Sequence, residues 1–196
     1  MEILNIKDRK TRKMFLTYVD RHYVTELFPI IGRYLKEHCK KNVLNIGIEK
    51  YNIYDKSFFL NENIYFYSLD IIDKRDIIPK DWNEFYKCDL TMDINIDMPK
   101  FDVIIDYGVI GWDIINIELS YDKIEKYICN IYNLLEYDGL YFLKIDYRSC
   151  NNNNNNKLIE ILHKYFSISK FYNLEEKILI QDSNTYFKTF ILKKNR

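Results

Sequence analysis

Glycine is scarce in this 196-residue chain, with five copies, and they are spread too thinly to build a multi-glycine phosphate loop. Proline is scarcer still, at three. Isoleucine, asparagine, lysine and tyrosine are abundant instead, the compositional drift expected of an AT-rich genome. Net charge is lacking as well, because 29 basic and 29 acidic side chains cancel. No global field therefore draws the chain to nucleic acid or to a membrane surface. The one local basic cluster, Lys7, Arg9, Lys10, Arg12 and Lys13, reads as a solvated helix start. The cysteines (Cys39, Cys88, Cys129 and Cys150) form no CxxC pair, which argues against zinc and against a disulfide framework. No metal site is expected, and a reducing compartment fits. No run approaches the roughly 20 apolar residues of a membrane span. Met1-Glu2-Ile3 opens without a basic region and apolar stretch, so a soluble, cytoplasmic protein is expected. GxSxG, Walker and HExxH motifs are missing, which removes the serine hydrolase, P-loop and zincin readings.

What is present is a regular alternation of strand and helix patterns. The length suits one core, so a single domain over 1–196 is expected, with residues 1–40 as a helical cover and 41–196 as the core. Residues 24–39 carry Leu27, Ile30, Ile31, Tyr34 and Leu35 at helical spacing, with a start or kink near Pro29. Residues 1–23 predict a further helix. Residues 43–46 and 65–69 are short apolar runs, the pattern of strands buried on both faces. Strands are also predicted over 84–88 and 101–106. From Ser120, a suitable N-cap, Ile124, Tyr127, Ile128, Ile131, Leu134 and Leu135 predict a helix ended by Asp138-Gly139, before a fifth strand over 140–145. The asparagine run 151–156 predicts a surface loop. A helix over 157–165 and strands over 167–172 and 185–192 complete the pattern, the last alternating as an antiparallel strand does. The expected fold is α/β: a doubly wound, mainly parallel seven-stranded sheet with an antiparallel last strand, plus N-terminal helices. Ligands bind such sheets at the carboxyl ends of the strands.

Gly47, Asp70, Asp89 and Asp106 fall at predicted strand ends, on that rim. Gly47 lets the backbone turn and approach a ligand closely. Asp70, ending the second strand, is placed to accept hydrogen bonds from both hydroxyls of a ribose. Asp89 is placed to accept from an exocyclic adenine amine. Acidic residues at strand ends also form turns and helix caps, so the combination with Gly47 carries this reading rather than any one residue.

Over about residues 24–193 the chain resembles the class I S-adenosylmethionine-dependent methyltransferases. The resemblance rests on VLNIG (43–47), YFYSLD (65–70), KCDLT (87–91), FDVIIDYGVIGW (101–112) and NIYNLLEYDGLYFLKI (130–145). It implies S-adenosylmethionine as cofactor, held by Asn45, Gly47, Tyr51, Asp70, Asp89 and Asp106. Gly47-Ile48-Glu49-Lys50-Tyr51 is similar to the Gly-x-x-x-Tyr loop of some members. Two positions depart from the family pattern: Asn45 stands where an acidic residue is usual, and Glu49 replaces a glycine. A glutamate is tolerable near a cationic sulfonium and repels a pyrophosphate, which favours S-adenosylmethionine over NAD or a nucleoside triphosphate.

Methyl transfer needs alignment of donor and acceptor, and in some cases a general base. Asp106, Tyr107, Trp112 and Asp113, following the fourth strand, are the catalytic candidates. His22 is the candidate base should the N-terminal segment cover the site. The Asn/Asp-Pro-Pro-aromatic motif of base-directed amino methyltransferases is missing after Asp106, which disfavours nucleic acid as acceptor. A small molecule, sugar or protein is the expected acceptor. The alternative is a methyltransferase-like module without turnover, serving as a binding or stimulatory subunit for a protein partner. Asn45 and Glu49 motivate that alternative.

Overall fold

The computed structural model describes residues 28–47, 63–106, 109–110, 119–148, 153–180 and 183–194. The elements run α1 (Phe28–Glu37), β1 (Asn42–Ile46), β2 (Tyr65–Asp70), β3 (Glu84–Lys87), β4 (Phe101–Asp106), α2 (Tyr121–Leu134), β5 (Leu135–Arg148), α3 (Asn153–Tyr165), β6 (Phe166–Ile180) and β7 (Ser183–Lys194). They form a seven-stranded sheet in the order β3-β2-β1-β4-β5-β7-β6. β1 pairs in parallel with β2 and with β4, and the parallel pairing extends to β3 and β5. β7 is antiparallel to both β5 and β6, as its alternating pattern predicts. Among the described residues no helix is long and apolar enough to cross a membrane.

Helices cover both faces of the sheet, which is why β1 and β4 are apolar almost without interruption. Alternation divides their side chains between two cores. Leu44, Ile46, Leu69, Ile104, Tyr141 and Leu143 pack with α2 and α3. Val43, Phe66, Val103, Ile105 and Phe142 pack with Phe28, Ile31 and Leu35 of α1 on the other face. Pro29 sits in the first turn of α1, where its missing N–H costs nothing. Tyr34 ties α1 to the start of β5: its hydroxyl donates to the Asp138 carbonyl at 2.6 Å. Burial, then the charges of Asp102 and Asp138, push this phenol up to about 12, so it remains a donor through the neutral range. Asp102 fastens β1 to β4 from below. Its Oδ2 accepts the backbone N–H groups of Lys41 at 2.8 Å and Asn42 at 2.9 Å.

Two boundaries depart from the sequence expectation. Asp138-Gly139 does not end the helix; α2 stops at Leu134, and the pair lies inside β5. Between the pairings Phe101–Leu135 and Val103–Leu140 the register shifts, and Asp138 absorbs the irregularity at φ 61°. Gly139 is needed because the chains are close there. A Cβ on it would meet the Leu135 Cγ at 2.7 Å, the Glu136 carbonyl oxygen at 2.9 Å and the Asp102 carbonyl oxygen at 3.1 Å. The second departure is the asparagine run, predicted as loop. Its last residues, from Asn153, form the first turn of α3. Asparagine favours helix starts, and the amphipathic stretch through Leu158, Ile161 and Leu162 propagates the helix back into the run.

Candidate functional site

The order β3-β2-β1-β4 brings the predicted strand-end residues to neighbouring positions on one rim. Ile46 pairs with Leu69 on one side and with Asp106 on the other, and Asp70 pairs with Lys87. Gly47 therefore stands between Asp70 and the end of β4, and Cys88-Asp89 follows beside Asp70. The crossover between β1 and β4 reverses the winding of the sheet, and the resulting crevice is where doubly wound folds place ligands.

Gly47 turns the chain at φ +76°, and its N–H donates to the Leu69 carbonyl at 2.9 Å. A Cβ there would lie 2.0 Å from Cγ2 of Val109, so the space beside this glycine is filled by the segment that follows β4.

Asp70 and Asp89 each hold a local turn. Asp70 Oδ1 accepts the Ile72 N–H at 2.9 Å, and Asp89 Oδ1 accepts both the N–H and the hydroxyl of Thr91 at 2.8 Å. Both residues are half-buried. Ile71 and Ile72, directly after Asp70, are 57% and 60% exposed, and Met92 is exposed beyond Asp89, so apolar surface lies open next to both carboxylates. Burial and the neighbouring Asp89 charge push the Cys88 thiol up, which disfavours its thiolate form. Asn130 of α2 fixes the loop behind Asp89: its amide nitrogen donates to the carbonyls of Leu90 at 2.8 Å and Met92 at 2.7 Å.

Asn45 and Asp106 are fully buried, on opposite faces of the sheet. Asn45 shares the α1 face with Val43 and pairs in register with Ser68 and Ile105. Its Nδ2 and Oδ1 have no hydrogen-bond partner among the described residues, a costly arrangement for an amide at 0% exposure. Asp106 faces α2. Its Oδ2 accepts the hydroxyls of Tyr127 at 2.8 Å and Tyr141 at 3.0 Å, and its Oδ1 accepts the Val109 N–H at 2.8 Å. Burial, with the Asp106 charge added, pushes the Tyr141 phenol well above its usual range.

Tyr127, Tyr141 and Val109 were not singled out by sequence reasoning as site residues. The available signal was a phenol within each of two core stripes, since a buried tyrosine hydroxyl requires an acceptor. Tyr51, Tyr107, Trp112, Asp113, His22 and residues 1–23 lie outside the described residues.

No protein-family model matches the sequence, and no curated protein matches it. Solved structures do. A TehB-like SAM-dependent methyltransferase from Corynebacterium glutamicum superposes with a TM-score of 0.57 at 19% identity, over 84% of this chain and 86% of that one. The 1,6-didemethyltoxoflavin-N1-methyltransferase of Burkholderia thailandensis, with 1,6-didemethyltoxoflavin and S-adenosylhomocysteine bound, gives 0.58 at 16% identity, over 95% and 87%. The N-methyltransferase NodS of Bradyrhizobium japonicum, in complex with S-adenosylhomocysteine, gives 0.59 at 14% identity, over 90% and 87%. At these identities the likeness is one of architecture: the chain has the Rossmann-like fold of the class I S-adenosylmethionine-dependent methyltransferases.

Proposed function

We propose that the protein is an S-adenosylmethionine-dependent methyltransferase acting on an oxygen or nitrogen of a small molecule, sugar or protein. The observation that carries this reading is the buried Asn45 amide, unpartnered among the described residues, two positions before the Gly47 turn on a rim that also holds Asp70 and Asp89. A buried polar pair without partners is costly in the free protein and becomes favourable once a ligand supplies its hydrogen bonds. That is the fit expected of a cofactor site. Asp70 is assigned to the ribose from its place at the end of β2, with its Oδ1 also accepting the Ile72 N–H of the turn. Asp89, with Met92 exposed three residues on, is assigned to the edge of a purine. Asn45 and the backbone after Gly47 are assigned the amino-acid end of the cofactor, with Tyr51 closing that loop.

When bound, the cofactor supplies a methyl group already activated on a sulfonium. The chain's own task is then to align the acceptor and exclude water. The acceptor side belongs to the segment after β4. Tyr107 and Trp112 are assigned to line it, with Asp113 and His22 as the remaining candidates for a base. Asp106 is assigned to the floor of that segment, since both its oxygens already accept bonds from the protein. The same reading makes the chain one domain, with residues 1–40 covering the core.

Isothermal titration with S-adenosylhomocysteine tests the cofactor assignment, and absence of heat at high micromolar ligand would overturn it. Asp70→Ala should weaken that binding by about 1.5 kcal/mol, roughly tenfold, the low end for a charged acceptor because one oxygen is committed to the turn. Unchanged affinity in this variant would displace the ribose from Asp70. Incubation of lysate with labelled cofactor would then identify the acceptor class from the methylated product.

A further inference from the structure

The buried carboxylate on the α2 face has a geometry that core packing alone does not require. Asp106, Tyr127 and Tyr141 bring three polar groups into an otherwise apolar layer formed by Ile104, Ile110, Ile128 and Leu143. A buried carboxylate is often no more stabilising than apolar side chains of similar volume, so what the cluster holds in place matters more than its net energy. What it fixes is visible from its third contact. Oδ2 receives the two phenol hydroxyls, so the carboxylate is held from α2 and from β5 at once. Oδ1 is thereby aimed at the Val109 N–H. Val109 in turn places its Cγ2 in the space beside Gly47 that a Cβ there would need. A continuous chain of contacts thus runs from α2 and β5, through one carboxylate, to the glycine turn at the end of β1.

We propose that Tyr127 and Tyr141 are positioning residues, which through Asp106 clamp Val109 against Gly47 and so hold the Gly47 turn at the end of β1 and the Val109 backbone beyond β4 in one fixed relation. With the methyltransferase reading on which it rests, the clamp sets the donor side and the acceptor side of the site against each other. Asp106 then acts through Val109 and does not serve as a base. Burial keeps the Tyr141 phenol protonated, so the clamp does not release in the neutral range.

The test compares Tyr127→Phe, Tyr141→Phe and the double variant with Ile161→Val, a core change in α3 outside the cluster. Two readouts are taken on each folded protein: amide hydrogen exchange at Val109 and Gly47, and affinity for S-adenosylhomocysteine. The tyrosine variants should speed exchange at both amides roughly tenfold beyond the change at core amides of β4, and weaken binding by a similar factor. Ile161→Val should change exchange only in step with global stability and leave affinity alone. Should the double variant not fold, the single variants carry the same comparison. Uniform exchange changes in the tyrosine variants, with affinity retained, would overturn the clamp while leaving the cofactor assignment standing. Selective exchange changes in a protein that binds no S-adenosylhomocysteine would uphold the clamp and overturn the cofactor assignment.

Discussion

Gly47→Ala is expected to destabilise the protein by about 2 to 5 kcal/mol, from two separable causes. The first is conformational. At φ +76° an L side chain costs about 1 to 2 kcal/mol, and the N–H bond to the Leu69 carbonyl keeps the turn from relaxing into another region. The second is steric. The new Cβ would lie 2.0 Å from Val109 Cγ2, and Val109 cannot simply withdraw because its own N–H is bonded to the buried Asp106 carboxylate. Overpacking of this kind costs about 1 to 3 kcal/mol. Urea unfolding should show a lower midpoint with an unchanged slope. Adding Val109→Ala separates the causes, since it removes the contact and leaves the dihedral strain. Partial recovery is expected. Full recovery would mean that the backbone conformation is free of strain, and no recovery would mean that Val109 is not what fills the space.

Strand positions were legible in the sequence wherever burial on two faces forces a continuous apolar run, as in 43–46 and 101–105. The α2 stripe was legible for the same reason, because one face of a helix must meet the core. The alternation of elements and the resemblance pointed to a mainly parallel sheet with an antiparallel last strand, which the sheet bears out, while the order β3-β2-β1-β4-β5-β7-β6 is visible only in the structure. What the sequence concealed is the face on which each strand-end residue lands. Asn45 and Asp106 occupy comparable positions near two strand ends, yet alternation turns Asn45 towards α1 and Asp106 towards α2. These residues share one rim, but alternation divides the faces of the sheet on which their side chains lie. The start of β5 was concealed for another reason. Asp-Gly is a common helix terminator, and only the close approach of Gly139 to the Asp102 carbonyl shows that here it serves a register shift.

Asn45→Leu should raise the stability of the free protein by about 1 to 3 kcal/mol while weakening S-adenosylhomocysteine binding at least tenfold. The stabilising part follows from the two amide atoms, which are fully buried and without partners among the described residues. Leucine has the same heavy-atom branching and no polar atom to desolvate, and although Ser68 stands beside this position in register, Val43, Ile105 and Phe66 on that face belong to the apolar core layer. The weakening part follows from the proposed role of the amide, whose hydrogen bonds are completed by the ligand. Stability and function are then opposed at one side chain, as is common at binding sites. Denaturant unfolding and calorimetric titration of the same variant decide the matter. A gain in stability with affinity unchanged would make Asn45 a tolerated packing defect, whereas a loss of stability would show that the amide is satisfied in the folded chain. Asn45→Asp provides the complementary case. It places an unpaired carboxylate in that layer, so the free protein should be less stable, and binding of a cation-bearing cofactor should recover stability in proportion to ligand concentration. The two variants should therefore move free-state stability in opposite directions, and only the aspartate variant should be strongly rescued by ligand.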